Sequence, residues 1–266
     1  MATVAEVYRY LDTLSPFSLQ ESYDNAGFLV GHGGREVHKL LVSLDITAAV
    51  VEEAARWGAE LIVSHHPIIF QPARTVTDAE PVGRVLLGLI EQGIAAICVH
   101  TNLDVVADGV NDALARKLCL EQVGQLCQNG EDAQGRPYGV GRVGVLPGGK
   151  PSNLQAFAGY VKQTLGANGV RYVDGGKPVR RVAVAGGACS GYMDDALTQG
   201  CDTFVTSDVK YNGFLDAKAL GLNLIDAGHY PTEQVICPIL CDWLTKGFPG
   251  VAVRQSTVHT EVFSYL

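Results

Sequence analysis

Short runs of aliphatic and β-branched residues alternate along this chain with segments of helical period, and that alternation restricts it to an α/β layer architecture. Strands are expected at 40–46 (LLVSLDI), 60–64 (ELIVS) and 95–100 (AAICVH). Between them, residues 48–58 and 81–93 space their apolar side chains three to four apart, and each segment closes on a glycine suited to a left-handed helix cap. The first half therefore reads β-α-β-α-β, followed by a helix over 109–118. A polar, glycine-containing stretch at 121–136 is taken as a linker. The rhythm then resumes with strands at 141–146, 179–185, 202–207 and 222–226 and helices at 151–165, 190–199, 210–220 and 232–246. A last strand, VHTEVFSY, is free to return to either half. The expected division is a first α/β domain over 1–128 and a second over 129–266, which echo one another as a duplication would.

Composition narrows the function classes. A chain of 266 residues, 47% of them hydrophobic, buries ~70–75% of its unfolded surface and needs no disulfide staples. Seven cysteines without a CxxC pair fit reduced thiols. Cys237 and Cys241 lie one turn apart among Ile, Pro and Leu, and are expected as core residues rather than metal ligands. The longest apolar runs, such as 85–90, fall far short of the ~20 residues of a membrane span. The start, MATVAEVYRYLDTLSP, reads as an amphipathic helix and not as a secretion signal, so a cytoplasmic location is expected. With 28 acidic against 20 basic residues the net charge is −8, which argues against a nonspecific nucleic-acid binder.

The chemistry gathers at strand ends. Ile62-Val63-Ser64-His65-His66-Pro67 is an apolar strand that stops on two imidazoles, with Pro67 unable to continue the ladder. Ligands in open α/β sheets bind at strand carboxyl ends, and adjacent side chains on an extended chain point apart, as two separate metal ions would want. Alone, the pair also suits a strand cap and a solvated ring. The next strand ends in His100-Thr101-Asn102-Leu103-Asp104, which brings the Asp104 carboxylate to the same sheet edge; turn and cap chemistry would use the same letters. Far downstream, Asp226-Ala227-Gly228-His229-Tyr230-Pro231-Thr232-Glu233 runs from strand into helix, and His229 and Glu233 share one helical face. Together His65, His66, Asp104, His229 and Glu233 supply enough ligands for two divalent ions with positions open to water. Water between two such ions loses its proton near neutral pH and becomes the nucleophile of metal-assisted hydrolysis. Zinc, iron and manganese all accept these ligands.

Eight ordered motifs, SYDNAGFLVG (22–31), SLDIT (43–47), IVSHHPIIF (62–70), HTNLD (100–104), GVNDALA (109–115), GGACSG (186–191), TSDVKYN (206–212) and DAGHYPTE (226–233), resemble those of the Nif-three-like dinuclear metal-centre family. Its members often bear the name GTP cyclohydrolase type 2 homologue, and this chain resembles the shorter ones that lack a large central insertion. The resemblance implies two related α/β domains with the metal site in the cleft between them, a homohexameric toroid, and metal ligands at His65, His66, Asp104, His229 and Glu233. Ser207 replaces the glycine usual before the acidic Asp208.

Other residues carry two readings. Asp208 is a candidate for orienting a metal-bound His, and Lys210 and Tyr211 follow it at a helix start. His100 is a candidate positioning partner or proton shuttle and not a ligand. Tyr23, Asp24 and Asn25 either fix substrate or form a turn. Gly186–Gly191 lacks the order of a P-loop or dinucleotide turn and reads as a tight strand-to-helix turn. His32, His38 and His259 are expected at the surface. The leading function is a metal-dependent hydrolase of a nucleotide or related small molecule. The alternative is a metal-stabilised hexameric scaffold or regulatory protein without catalysis.

Overall fold

Strands Lys39–Ser43, Leu61–Ser64 and Ala95–Cys98 run parallel, and their unbroken apolar sequences are those of strands covered on both faces. The structure, a computed structural model, describes residues 2–266. It divides into two compact units: one holds the chain up to Leu103 together with Cys237–Thr260, the other Asp104–Ile236 with Glu261–Leu266.

In the first unit the three parallel strands are flanked by Ala252–Gln255, parallel to Lys39–Ser43, and by Gly27–Val30, antiparallel to Ala95–Cys98. Helices Ala48–Trp57 and Pro81–Glu91 set Val50, Val51, Ala54, Val85 and Leu89 against Leu41, Ile62 and Ala96 of the sheet. Thr47 caps the first of these helices at Val50 N, and Gly58 closes it at φ 75°. The register pairs Ser43 with Ser64 and Ser64 with Cys98. Three strands therefore leave the sheet at one level, and Asp45, His65, His66 and His100 follow directly.

In the second unit the parallel centre is Arg181–Val184, Thr203–Thr206 and Asn223–Asp226. Arg171–Val173 joins one side antiparallel; Arg142–Val145 and then Glu121–Gln125 join the other. Phe204, Leu224 and Ala183 pack with Ala196 and Ala217 of the covering helices. Thr206 is level with Asp226, so Asp208 and His229 emerge at one edge.

The division differs from the expected 1–128 and 129–266. Helix Val110–Lys117 packs on Arg142–Val145 and Arg181–Val184, and the buried Arg142 guanidinium binds Asp112 and the Val106 carbonyl. The chain from Asp104 through this helix is thereby committed to the second unit. Helix Cys237–Gly247 packs on Ala252–Gln255 and Lys39–Ser43 instead. VHTEVFSY carries no strand; the strand that returns to the first sheet is Ala252–Gln255. The expected linker holds strand Glu121–Gln125 and strand Gly130–Glu131, which pairs as a hairpin with Pro137–Tyr138 just beyond it. Among the described residues no helix is long and apolar enough to cross a membrane.

Candidate metal centre

At the strand exits of the first unit, His65, His66 and His100 bring ligating nitrogens within 4.8 Å of one another. Their ring centroids stand 5.0 to 5.4 Å apart. Adjacent side chains of a strand would diverge, but His65 and His66 lie beyond the last ladder residue, so their rings converge. His65 is fully buried, and its Nδ1 donates to the Val99 carbonyl at 2.8 Å. His66 Nδ1 meets Asp45 Oδ1 at 2.8 Å and His100 Nδ1 meets Asp24 Oδ1 at 2.7 Å. A neutral ring that spends its Nδ1 proton on an oxygen presents its lone pair at Nε2, the arrangement found around metal-bound histidines.

Asp24 has its side chain fully shielded and is further bound by Thr101 Oγ1 at 2.5 Å. Burial alone would raise its carboxyl; the hydrogen bonds from His100 and Thr101 outweigh it and hold the group down at about 2. Burial of Asp45 is likewise outweighed by hydrogen bonds from His259 and His66, which hold it well below the usual carboxylate range.

In the second unit, His229 opens the short helix His229–Glu233. Its Nδ1 meets Asp208 Oδ2 at 2.7 Å and its Nε2 stands 2.9 Å from Glu233 Oε2. Two donors each ~2.1 Å from one divalent ion lie about 3 Å apart, so this pair is spaced as ligands on one ion. Glu233 is buried, and an oxygen of Asp104 lies within 4.8 Å of one of its own. Two carboxylates this close, shielded from water, want a cation. They also act on the Cys189 thiol, which burial first and these two charges second push far above its usual range.

The glycine turn is built around Glu233. Gly187 sits at φ 67°, and a Cβ there would fall 2.1 Å from Glu233 Oε1. Gly186 N donates to Asn111 Oδ1 and Gly187 N to Thr232 Oγ1, so these two amides are committed to the protein and the segment is a turn rather than an anion cradle. Asn111 also donates to the Asp104 carbonyl at 2.9 Å, which ties Asp104 to the same turn.

Each of the five expected ligands thus occurs in one of these groups: His65 and His66 in the first unit, Asp104, His229 and Glu233 in the second. His100 stands among the imidazoles and Asp208 on His229. Tyr211 is exposed, and among the described residues neither it nor Lys210 bonds to His229 or Glu233. Asn25 donates to the Ile69 carbonyl, a loop contact, and Tyr23 is exposed. His259, expected at the surface, is instead mostly shielded and binds Asp45 Oδ2 at 2.8 Å. Sequence reading assigned Asp45 no role, although its place just past a strand end marked it as surely as His65; His259 had no such signal.

The family model described as Duf34/NIF3 (NGG1p interacting factor 3) matches residues 2–262. A Clostridium perfringens protein named GTP cyclohydrolase 1 type 2 homolog is 32% identical over 86% of each chain. A Streptomyces coelicolor protein of the same name is 36% identical over 90% of this chain and 84% of its own. The crystal structure of a Staphylococcus aureus hypothetical protein superposes with a TM-score of 0.92 at 32% identity, covering 99% of both chains.

Proposed function

The chain belongs to the DUF34/NIF3 family, and from that premise we propose that it is a dinuclear metal-dependent hydrolase acting on a nucleotide or related small molecule. His65, His66, Asp104, His229 and Glu233 hold the two ions, whether zinc, iron or manganese. When bound, such ions polarise the group to be cleaved and acidify water. The chain's own residues do the rest. Asp24 fixes the proton of His100 on Nδ1, which leaves Nε2 to accept a proton from the attacking water and return it to the leaving group. Asp208 fixes His229 in the same way and is a positioning residue. The name borne by the relatives supports a purine nucleotide as substrate.

The observation that carries this reading is shared by His65, His66, His100 and His229: each directs Nδ1 to an oxygen, at Val99, Asp45, Asp24 and Asp208. Imidazoles packed for stability alone have no reason to share this one ring orientation.

Metal content per chain tests it, on protein purified without chelator or affinity nickel. Close to two equivalents in the wild type and a clear loss in a His65→Ala/His229→Ala double variant are expected, with hydrolysis of a nucleotide by the loaded protein. Negligible metal after reconstitution with zinc, manganese or iron sinks the reading. Full metal without turnover across nucleotides and phosphoesters identifies the metal-stabilised scaffold instead.

A further inference from the structure

Residues 65–80 join strand Leu61–Ser64 to helix Pro81–Glu91 without regular secondary structure. Unstructured connections beyond ~12–15 residues in a compact fold are usually functional. This one is anchored along its length. Asn25 holds the Ile69 carbonyl, and Arg84 Nη1 holds the Asp78 carbonyl at 2.8 Å. At Gly83 a Cβ would fall 2.0 Å from the Thr77 carbonyl oxygen, so the helix accepts the loop only because that position is glycine.

The loop walls a cavity of about 510 Å³ in the first unit, within the range of small-molecule sites. His66 and Asp45 line it together with the apolar Ile46 and Phe70. Phe70 is 42% exposed, with its ring 6.1 Å from that of His100 in an edge-on arrangement. A large aromatic left open beside imidazoles serves no core, and its face offers a platform for a flat ring. Arg74 also lines the cavity and makes no hydrogen bond or ion pair with any described residue. It is the one arginine or lysine there, whereas Glu80 adds a second carboxylate to Asp45.

The charge count limits the ligand. One guanidinium matches one phosphate or carboxylate in its fork. A triphosphate would bring further negative charge against Glu80 without a cation to meet it.

We propose that this cavity takes the part of the substrate that does not react: an aromatic ring carrying a single phosphate or carboxylate, the ring on Phe70 and Ile46 and the anion on Arg74. That the reacting atoms then face His66 rests on the hydrolase reading; the binding site does not. The assignment narrows the nucleotide class to compounds with one anionic group at this end.

Calorimetric titration of chelator-treated, metal-free protein tests the site apart from the chemistry. Phenyl phosphate is expected to bind about tenfold or more tighter than inorganic phosphate, which lacks the ring, and than ATP, which carries excess charge. Arg74→Gln and Phe70→Ala are each expected to weaken phenyl phosphate about tenfold, with Arg74→Lys retaining part of the affinity and all three melting with the wild type. No binding of phenyl phosphate, binding no tighter than inorganic phosphate, or indifference to Arg74→Gln or Phe70→Ala overturns the site, and ATP binding as tightly overturns the single-anion limit. Turnover is read separately on metal-loaded protein. Binding without turnover of any substrate defeats the hydrolase and leaves the cavity; turnover unchanged in both variants defeats the cavity and leaves the hydrolase.

Discussion

Asp45 stands between two imidazoles, its Oδ1 2.8 Å from His66 Nδ1 and its Oδ2 2.8 Å from His259 Nε2. Both oxygens accept, so the carboxylate fixes the tautomer of His66 while His259 fixes the carboxylate. Ser256 and Thr257, just before His259, bind Glu53 of helix Ala48–Trp57. The segment that carries His259 is therefore held to the same unit as the ring it serves.

Asp45→Asn is expected to weaken metal binding about 10- to 100-fold, because an amide cannot accept from both imidazoles and forces one of them into the wrong tautomer. His259→Ala should produce a smaller loss in the same direction. Competition against a chromophoric zinc chelator measures both, with the melting temperature of the metal-free proteins as control. Wild-type affinity in Asp45→Asn would show that the carboxylate does not support the ligand.

Gly187→Ala should cost about 1–2 kcal/mol for the left-handed backbone alone and also displace the Glu233 carboxylate, whose oxygen occupies the position of the new methyl group. Gly200, at φ 72° with nothing within 4 Å of its Cβ position, is the matched control. Gly200→Ala is expected to lose similar stability and keep its metal, whereas Gly187→Ala loses metal as well. Equal metal content in the two variants would contradict the packing.

What could be read from the chain beforehand follows where the signal lay. His65, His66 and His100 follow buried strands, Asp104 sits in the short helix Thr101–Val105 that comes next, and His229 and Glu233 share one turn, so apolar runs and local spacing located them. Strand Glu121–Gln125 gave no such signal: four of its five residues are exposed, Gln122 sits at φ 51°, and it is placed by backbone pairing with Arg142–Val145 rather than by an apolar face. The unit boundary at Asp104 was equally hidden, because it depends on what helix Val110–Lys117 packs against. His259 meets Asp45 across 214 positions of sequence, a pairing no local pattern encodes.

Asp24 gives the acid side of the stability profile a definite form. Its carboxyl titrates near 3.8 when unconstrained and at about 2 in the fold. Between those values the unfolded chain binds the proton and the folded chain does not, so stability rises with pH across that window. The contribution is complete above about pH 4 and is lost as the pH falls toward 2. Asp24→Asn removes it. Urea midpoints of metal-free wild type and variant should differ at pH 5 and converge near pH 2; a constant difference would refute the assignment.

Arg142 decides how the chain enters the second unit. It is almost wholly buried, and all of its N–H groups are used: two reach Asp112 at 2.6 and 3.1 Å, the others the carbonyls of Gly139, Gly141 and Val106. Val106 lies just beyond Asp104, and Asp112 follows Asn111, which holds the Asp104 carbonyl. Removing the guanidinium leaves a shielded carboxylate and three carbonyls unmet, so Arg142→Met is expected to cost about 3–5 kcal/mol. Lysine keeps the charge but brings three donors on one nitrogen and not a planar fork, so Arg142→Lys should recover less than half of that. Urea denaturation of metal-free protein measures both. A lysine variant within about 0.5 kcal/mol of wild type would mean that charge alone, and not the geometry of the fork, secures the segment behind Asp104.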